Sequence, residues 1–150
     1  MKASTKELQT TVVTNHGQTT MPPDLRMETA VGIQAERPWS DLSPQVIVDT
    51  MLAHTANGCL DVYVHCDGEL AGWAHIGLTF DIHVGECVTV MAMYVRPAYR
   101  HLNVPREIIR VLKQAARDTG HRWCAFTHWP KPKTLVWKYI DLGENHGRNF

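Results

Sequence analysis

The sequence predicts an α/β (α+β) domain with a mixed, mostly antiparallel sheet of five or six strands and helices on both faces. Three features carry that expectation: a strand–turn–strand pattern over residues 60–80, a nearly continuous apolar run over 87–95, and an amphipathic helix followed by another apolar strand. A hairpin alone would give an antiparallel sheet. The strand–helix–strand crossover that follows joins parallel strands, so the sheet is mixed.

The 150 residues fit one domain, since domains usually hold roughly 100–200 residues. With 44% hydrophobic residues, 20% charged residues and five Trp, a mainly disordered chain is excluded. Fifteen Lys and Arg balance fifteen Asp and Glu, so bulk attraction recruits neither nucleic acid nor an anionic membrane. No apolar run reaches the roughly 18 residues of a membrane span, and the polar residues 1–9 lack a signal-peptide core, which points to a cytoplasmic protein.

Residues 1–43 read as an N-terminal arm or irregular lead-in, turn-rich at Asn15-His16-Gly17 and Met21-Pro22-Pro23, with a strand expected over 11–14 and a short helix over 25–35. The folded domain is assigned to 44–150. Ser43 followed by Pro44 pairs an N-cap hydroxyl with proline at the first helical position, and Val46, Ile47, Thr50, Met51 and His54 share a face until Asn57-Gly58. Residues 60–65 and 70–80 are strand formers around the turn Cys66-Asp67-Gly68-Glu69. The run 87–95 suits a central strand covered on both faces, and Pro97 ends it.

Over 105–119, Ile108, Ile109, Leu112, Ala115 and Ala116 share a face opposite Arg106, Arg110, Lys113 and Arg117, with Gly120 at the helix end. Residues 123–128 form a further strand. A Pro-Lys-Pro-Lys loop then leads to a helix expected over 134–142 and stopped by Gly143.

Cys59, Cys66, Cys87 and Cys124 form no CxxC pair, so reduced, mostly buried thiols are expected, Cys124 as a packing residue rather than a nucleophile. His65, Cys66, His75 and His83 lack the paired-ligand spacing of a zinc module, so no metal is expected. Most Trp residues read as core. Trp129-Pro130 with Lys131 and Lys133 reads as an exposed loop that contacts a substrate or partner.

The segment Tyr94-Val95-Arg96-Pro97-Ala98-Tyr99-Arg100-His101-Leu102-Asn103-Val104-Pro105 resembles the central signature of the GNAT superfamily of N-acetyltransferases. In that family a strand ending in Val-x-Pro-x-Tyr-Arg runs into a glycine-rich turn that opens a helix. The likeness extends over residues 60–143, with Tyr139 four residues before Gly143, as in the family's last helix. Unpaired N–H groups and the positive dipole end at a helix N-terminus suit a pyrophosphate, which coenzyme A carries.

The resemblance implies acetyl-coenzyme A as cosubstrate, with the pantetheine arm between two splayed parallel strands and paired with backbone near Met93, Tyr94 and Val95. The phosphates would meet Arg100, His101, Leu102, Asn103, Val104 and Arg106. Tyr139 would be the general acid for the departing thiolate, and a small-molecule or protein amine would be the acceptor. A general base is sought among Glu86, Asp81 and His83, just before the central strand.

Two glycine positions of the family turn are substituted here. Asn103 enters the left-handed region more readily than most residues, so it suits a position that needs it. Pro105 has no N–H, which removes one phosphate donor. Only residues 144–150 follow the last expected helix, so the family's C-terminal strands are expected to be missing and the open sheet edge covered in a homo-oligomer or larger assembly. A second reading from another class is a non-catalytic GNAT-fold structural or interaction protein, such as a bacteriophage virion component.

Overall fold

The computed structural model describes residues 7–56 and 59–143. In chain order these form β1 (Leu8–Asn15), α1 (Pro23–Glu36), α2 (Pro44–Thr55), β2 (Cys59–Cys66), β3 (Glu69–Asp81), β4 (Gly85–Val95), a 3-10 turn (Pro97–Tyr99), α3 (Val104–Asp118), β5 (Trp123–Lys131) and β6 (Thr134–Asp141). The sheet is six-stranded in the order β1-β2-β3-β4-β5-β6. Only β4 and β5 run parallel, because α3 crosses over between them. The architecture is the mixed, mostly antiparallel sheet expected, with helices on both faces.

The alternation of side chains along β3 supplies both cores. Ala74 and Ile76 pack with Val104, Ile108 and Leu112 of α3 on one face. Trp73 lies on the other with Tyr94, Met21 and Met51, beneath α1 and α2. Ser43 caps α2 as its sequence implies, its hydroxyl accepting from the Val46 N–H at 3.3 Å.

The lead-in is integrated into this frame. The expected strand and helix are both present and longer than their sequence signals: β1 pairs with β2 along its whole length, and α1 runs from Pro23 to Glu36. Glu28 of α1 receives two hydrogen bonds from Arg96, at 2.8 and 2.9 Å. The buried Trp73 indole donates to Thr29 of the same helix at 2.7 Å.

The helix expected over 134–142 is instead the edge strand β6, antiparallel to β5. Thr134, Val136, Trp137, Tyr139 and Ile140 are β-branched or aromatic. Their burial alternates with Val136 and Ile140 inward, a period of two rather than 3.6. The preceding loop is a tight hairpin turn with Lys133 at φ 63°, bringing Lys131 opposite Thr134. A strand, not a helix, therefore closes the described sheet next to β5.

A polar network is buried beside β1. Asp61 of β2 accepts from Asn15 at 3.0 Å and from the Thr20 N–H and hydroxyl at 2.6 and 2.7 Å, while His75 Nδ1 lies 2.6 Å from its Oδ1. Burial by itself would raise Asp61, but hydrogen bonds from His75 and from the side chain and backbone of Thr20 outweigh it and hold the carboxyl at about 2. The folded value lies below the ordinary aspartate value of 3.8, so the stabilisation is complete above that value and is lost as pH falls through the folded value. The linkage is worth about 2 kcal/mol. Unfolding midpoints should therefore drop between about pH 4 and about pH 2. Asp61→Asn should flatten most of that fall in a series of urea unfolding curves, leaving the smaller slope of surface carboxylates.

Candidate functional site

Parallel pairing between β4 and β5 covers only three rungs: Cys87–Trp123, Val88–Cys124 and Thr89–Ala125. Beyond them the strands diverge. Opposite β3, His75 pairs with Ala92 but Ile76 with Val90, so Met91 is an extra, unpaired residue at the point where β4 turns away. A bulge of this kind sharpens local twist and bends the strand. The gap is a cleft of about 680 Å³ walled by residues 90–95 of β4 and by Thr127, His128 and Trp129 of β5, with Ile33 of α1 and Ile47 and Met51 of α2 above it.

The β5-facing backbone of residues 90–94 has no strand partner among the described residues, so it is available to an extended ligand, whereas the Val95 carbonyl is taken by Arg100. Pro105, near the α3 N-terminus, lines the same cleft. The turn before α3 differs from its expected form: Asn103 has φ −83° and ψ 37°, outside the left-handed region, so no glycine is required there. Val104 is the first helical residue and is fully buried, which pins the turn to the α3 core. Pro105 follows as the second helical residue, where a proline is tolerated because its N–H would have had no intrahelical acceptor.

The expected coenzyme-binding residues fall into two groups. Met93, Tyr94, Val95 and Arg100 line the cleft. Arg100 donates to the Val95 carbonyl at 3.0 Å, forms an ion pair with Glu36 and lies 5.8 Å from the Tyr94 ring centre. It therefore ties the end of α1 to β4 across the cleft. His101, Asn103 and Arg106 are exposed around the α3 N-terminus, whereas Leu102 packs against the core.

The two residues expected to carry catalysis are not brought to the cleft. As β6 is a strand, Tyr139 lies opposite Ala125, and its exposed hydroxyl donates to Asp81 at 2.8 Å. That hydrogen bond raises the Tyr139 pKa. Glu86 stands at the far end of β4, exposed and 3.3 Å from His121. Neither lines the cleft.

The cleft is lined by further residues that the sequence reading did not single out. His128 of β5 lines the cleft, and its Nδ1 is buried without a hydrogen-bond partner among the described residues. Arg37 and His54 also line it. Trp39 packs against Trp129 in a tilted arrangement with ring centres 6.0 Å apart. The one sequence signal near this cluster was the Trp129 loop, of which Trp129 reaches the cleft.

Burial raises the Cys124 thiol to about 11, with Cys87 adding to the effect, and burial raises Cys87 as well. Thiolate is scarce at neutral pH for such groups, which fits packing rather than nucleophilic roles. Among the described residues no three His, Cys, Asp or Glu side chains cluster to hold a metal ion. Nor is any described helix long and apolar enough to cross a membrane.

The family model of the GNAT acetyltransferases matches residues 25–145, and the chain belongs to that family. Solved structures share the fold. Aminoglycoside N-acetyltransferase AAC(6')-Iy in complex with CoA superposes with a TM-score of 0.55 at 13% identity, over 87% of this chain and 82% of that one. A predicted acetyltransferase from Clostridium acetobutylicum with acetyl-CoA gives 0.59 at 9% identity, over 83% and 82%. The ribosomal-protein-S18-alanine N-acetyltransferase from Escherichia coli gives 0.53 at 14% identity, over 83% and 70%. The sequence matches no curated protein significantly.

One packing contact sets the cleft's roof. A Cβ on Gly32 would stand 2.4 Å from Cε2 of Tyr94, whose ring is wedged between α1 and Trp73, 5.2 Å away. Gly32→Ala must push α1 and Tyr94 apart. It should cost about 1–3 kcal/mol in chemical denaturation and change the near-ultraviolet circular dichroism of the Trp73–Tyr94 pair; an unchanged spectrum would count against this packing.

Proposed function

We propose that the chain transfers an acetyl group from acetyl-coenzyme A to a primary amine. The observation that carries this reading is the opening between β4 and β5, an extended cleft with unpaired backbone along one wall and the α3 N-terminus at its end. The open side of residues 90–94 pairs with the amides of the pantetheine arm. The turn at residues 101–104 and the positive end of α3 receive the pyrophosphate, with His101 and Arg106 beside it. Pro105 leaves that site one N–H donor short.

Acetyl-coenzyme A supplies an activated acyl group as a thioester. The neutral amine attacks the carbonyl carbon, a C–N bond forms, the C–S bond breaks, and the sulfur leaves as the thiol once protonated. Backbone N–H groups around the Met91 bulge stabilise the oxyanion. His128, whose side chain lines the cleft and whose buried Nδ1 has no hydrogen-bond partner among the described residues, moves the proton. No covalent enzyme intermediate is required.

The second reading, a GNAT fold kept as a structural or interaction module, is favoured by the remote position of Tyr139 and the missing donor at Pro105. Calorimetric titration with acetyl-coenzyme A and with free coenzyme A separates the two. Micromolar binding is the expected result; no binding up to about millimolar, less than roughly 4 kcal/mol of affinity, would favour the structural module. His128→Gln should lower kcat about 100-fold while leaving coenzyme affinity unchanged. Pro105→Gly should tighten coenzyme binding about tenfold or more by restoring a donor to a charged group.

A further inference from the structure

The charged lining of the cleft is lopsided. Its one carboxylate is Glu36, and that is paired with Arg100. Arg37, two residues before Trp39, reaches over Trp129 with its guanidinium carbon 4.7 Å from the ring centre. It is half-buried, and burial lowers its pKa, with only the neighbouring Glu36 acting in the other direction. Among the described residues no acceptor hydrogen-bonds its guanidinium and no carboxylate pairs with it. His54, Tyr94 and His128 are the other titratable groups on the walls.

A guanidinium laid on an indole face keeps its edge donors free in its own plane. That planar fork matches a carboxylate, which accepts two parallel hydrogen bonds. A polycationic acceptor would meet the opposite situation: a cation already present, and a single carboxylate already neutralised. A cleft of about 680 Å³ that also receives the pantetheine arm leaves room for a small acceptor.

The geometry points to Arg37, stacked on Trp129, as the specificity element of the acceptor site, selecting a small amine that also carries a carboxylate, the chemical class of the amino acids. This rests on the acetyl-transfer reading above. Arg37 binds the acceptor's carboxylate and holds its amine towards the thioester; it takes no part in the bond changes.

The test compares initial rates of coenzyme A release with free amino acids, the matching amino-acid amides and a linear polyamine, for the wild type, Arg37→Gln and Arg37→Lys. Coenzyme affinity is measured separately in each protein. Carboxylate acceptors should exceed their amides by about tenfold or more in kcat/KM. Arg37→Gln should erase that preference through KM with coenzyme affinity unchanged, and Arg37→Lys should restore part of it.

Binding gives a readout independent of turnover. With coenzyme A present, an N-acetylated amino acid should quench tryptophan fluorescence in the wild type more than its amide does, and the difference should vanish in Arg37→Gln. Equal handling of acid, amide and polyamine by a protein that binds coenzyme A overturns the acceptor assignment and leaves acetyl transfer standing. Failure of the wild type to bind acetyl-coenzyme A overturns both.

Discussion

The short parallel contact between β4 and β5 is the constraint on which the rest of the structure depends. Cys87, Val88, Thr89, Cys124 and Ala125 are all buried there, so the three rungs are held from both faces of the sheet. Above them each strand is retained by its outer neighbour instead: β4 pairs with β3 as far as Val95, and β5 with β6 as far as Lys131. The sheet therefore opens without coming apart. The open backbone inside it must be satisfied by water or by a ligand, because buried N–H and C=O groups are costly to leave unpaired.

The roof over that opening is secured mainly by polar contacts. Arg96 grips Glu28, Arg100 grips Glu36, and Trp73 donates to Thr29, so α1 is fixed at three points along its length. The absence of a side chain at Gly32 lets Tyr94 fill the space between helix and sheet. These contacts also pair Glu36, the one carboxylate among the described residues that line the cleft. The charge along the cleft is thus a consequence of how the helix is anchored.

The direct β5–β6 hairpin, where a helix was expected from sequence, decides which side chains reach the cleft. Tyr139 is carried to the lower part of the sheet, where it reaches across to Asp81. The same hairpin leaves Leu135 on the cleft wall and extends β5 far enough for His128 and Trp129 to stand opposite β4. Polar groups on the cleft wall then come from β5 and from the segment after α1.

The sequence by itself determined the elements whose signals are local. The turn at Asp67-Gly68 specified the β2–β3 hairpin, the apolar run specified β4, and the opposed faces of residues 105–119 specified α3. The Val95–Arg100 motif placed the turn at the helix start, because strand end, proline and helix N-terminus follow one another along the chain. Residues 134–142 were misread because a short apolar run fits either period, and only pairing with β5 decided between them. Tertiary structure alone placed Arg37 on Trp129, buried His128 Nδ1 with no hydrogen-bond partner among the described residues and committed Glu36 to Arg100. Those contacts join residues distant in sequence across the gap between two strands, and no local pattern encodes a gap.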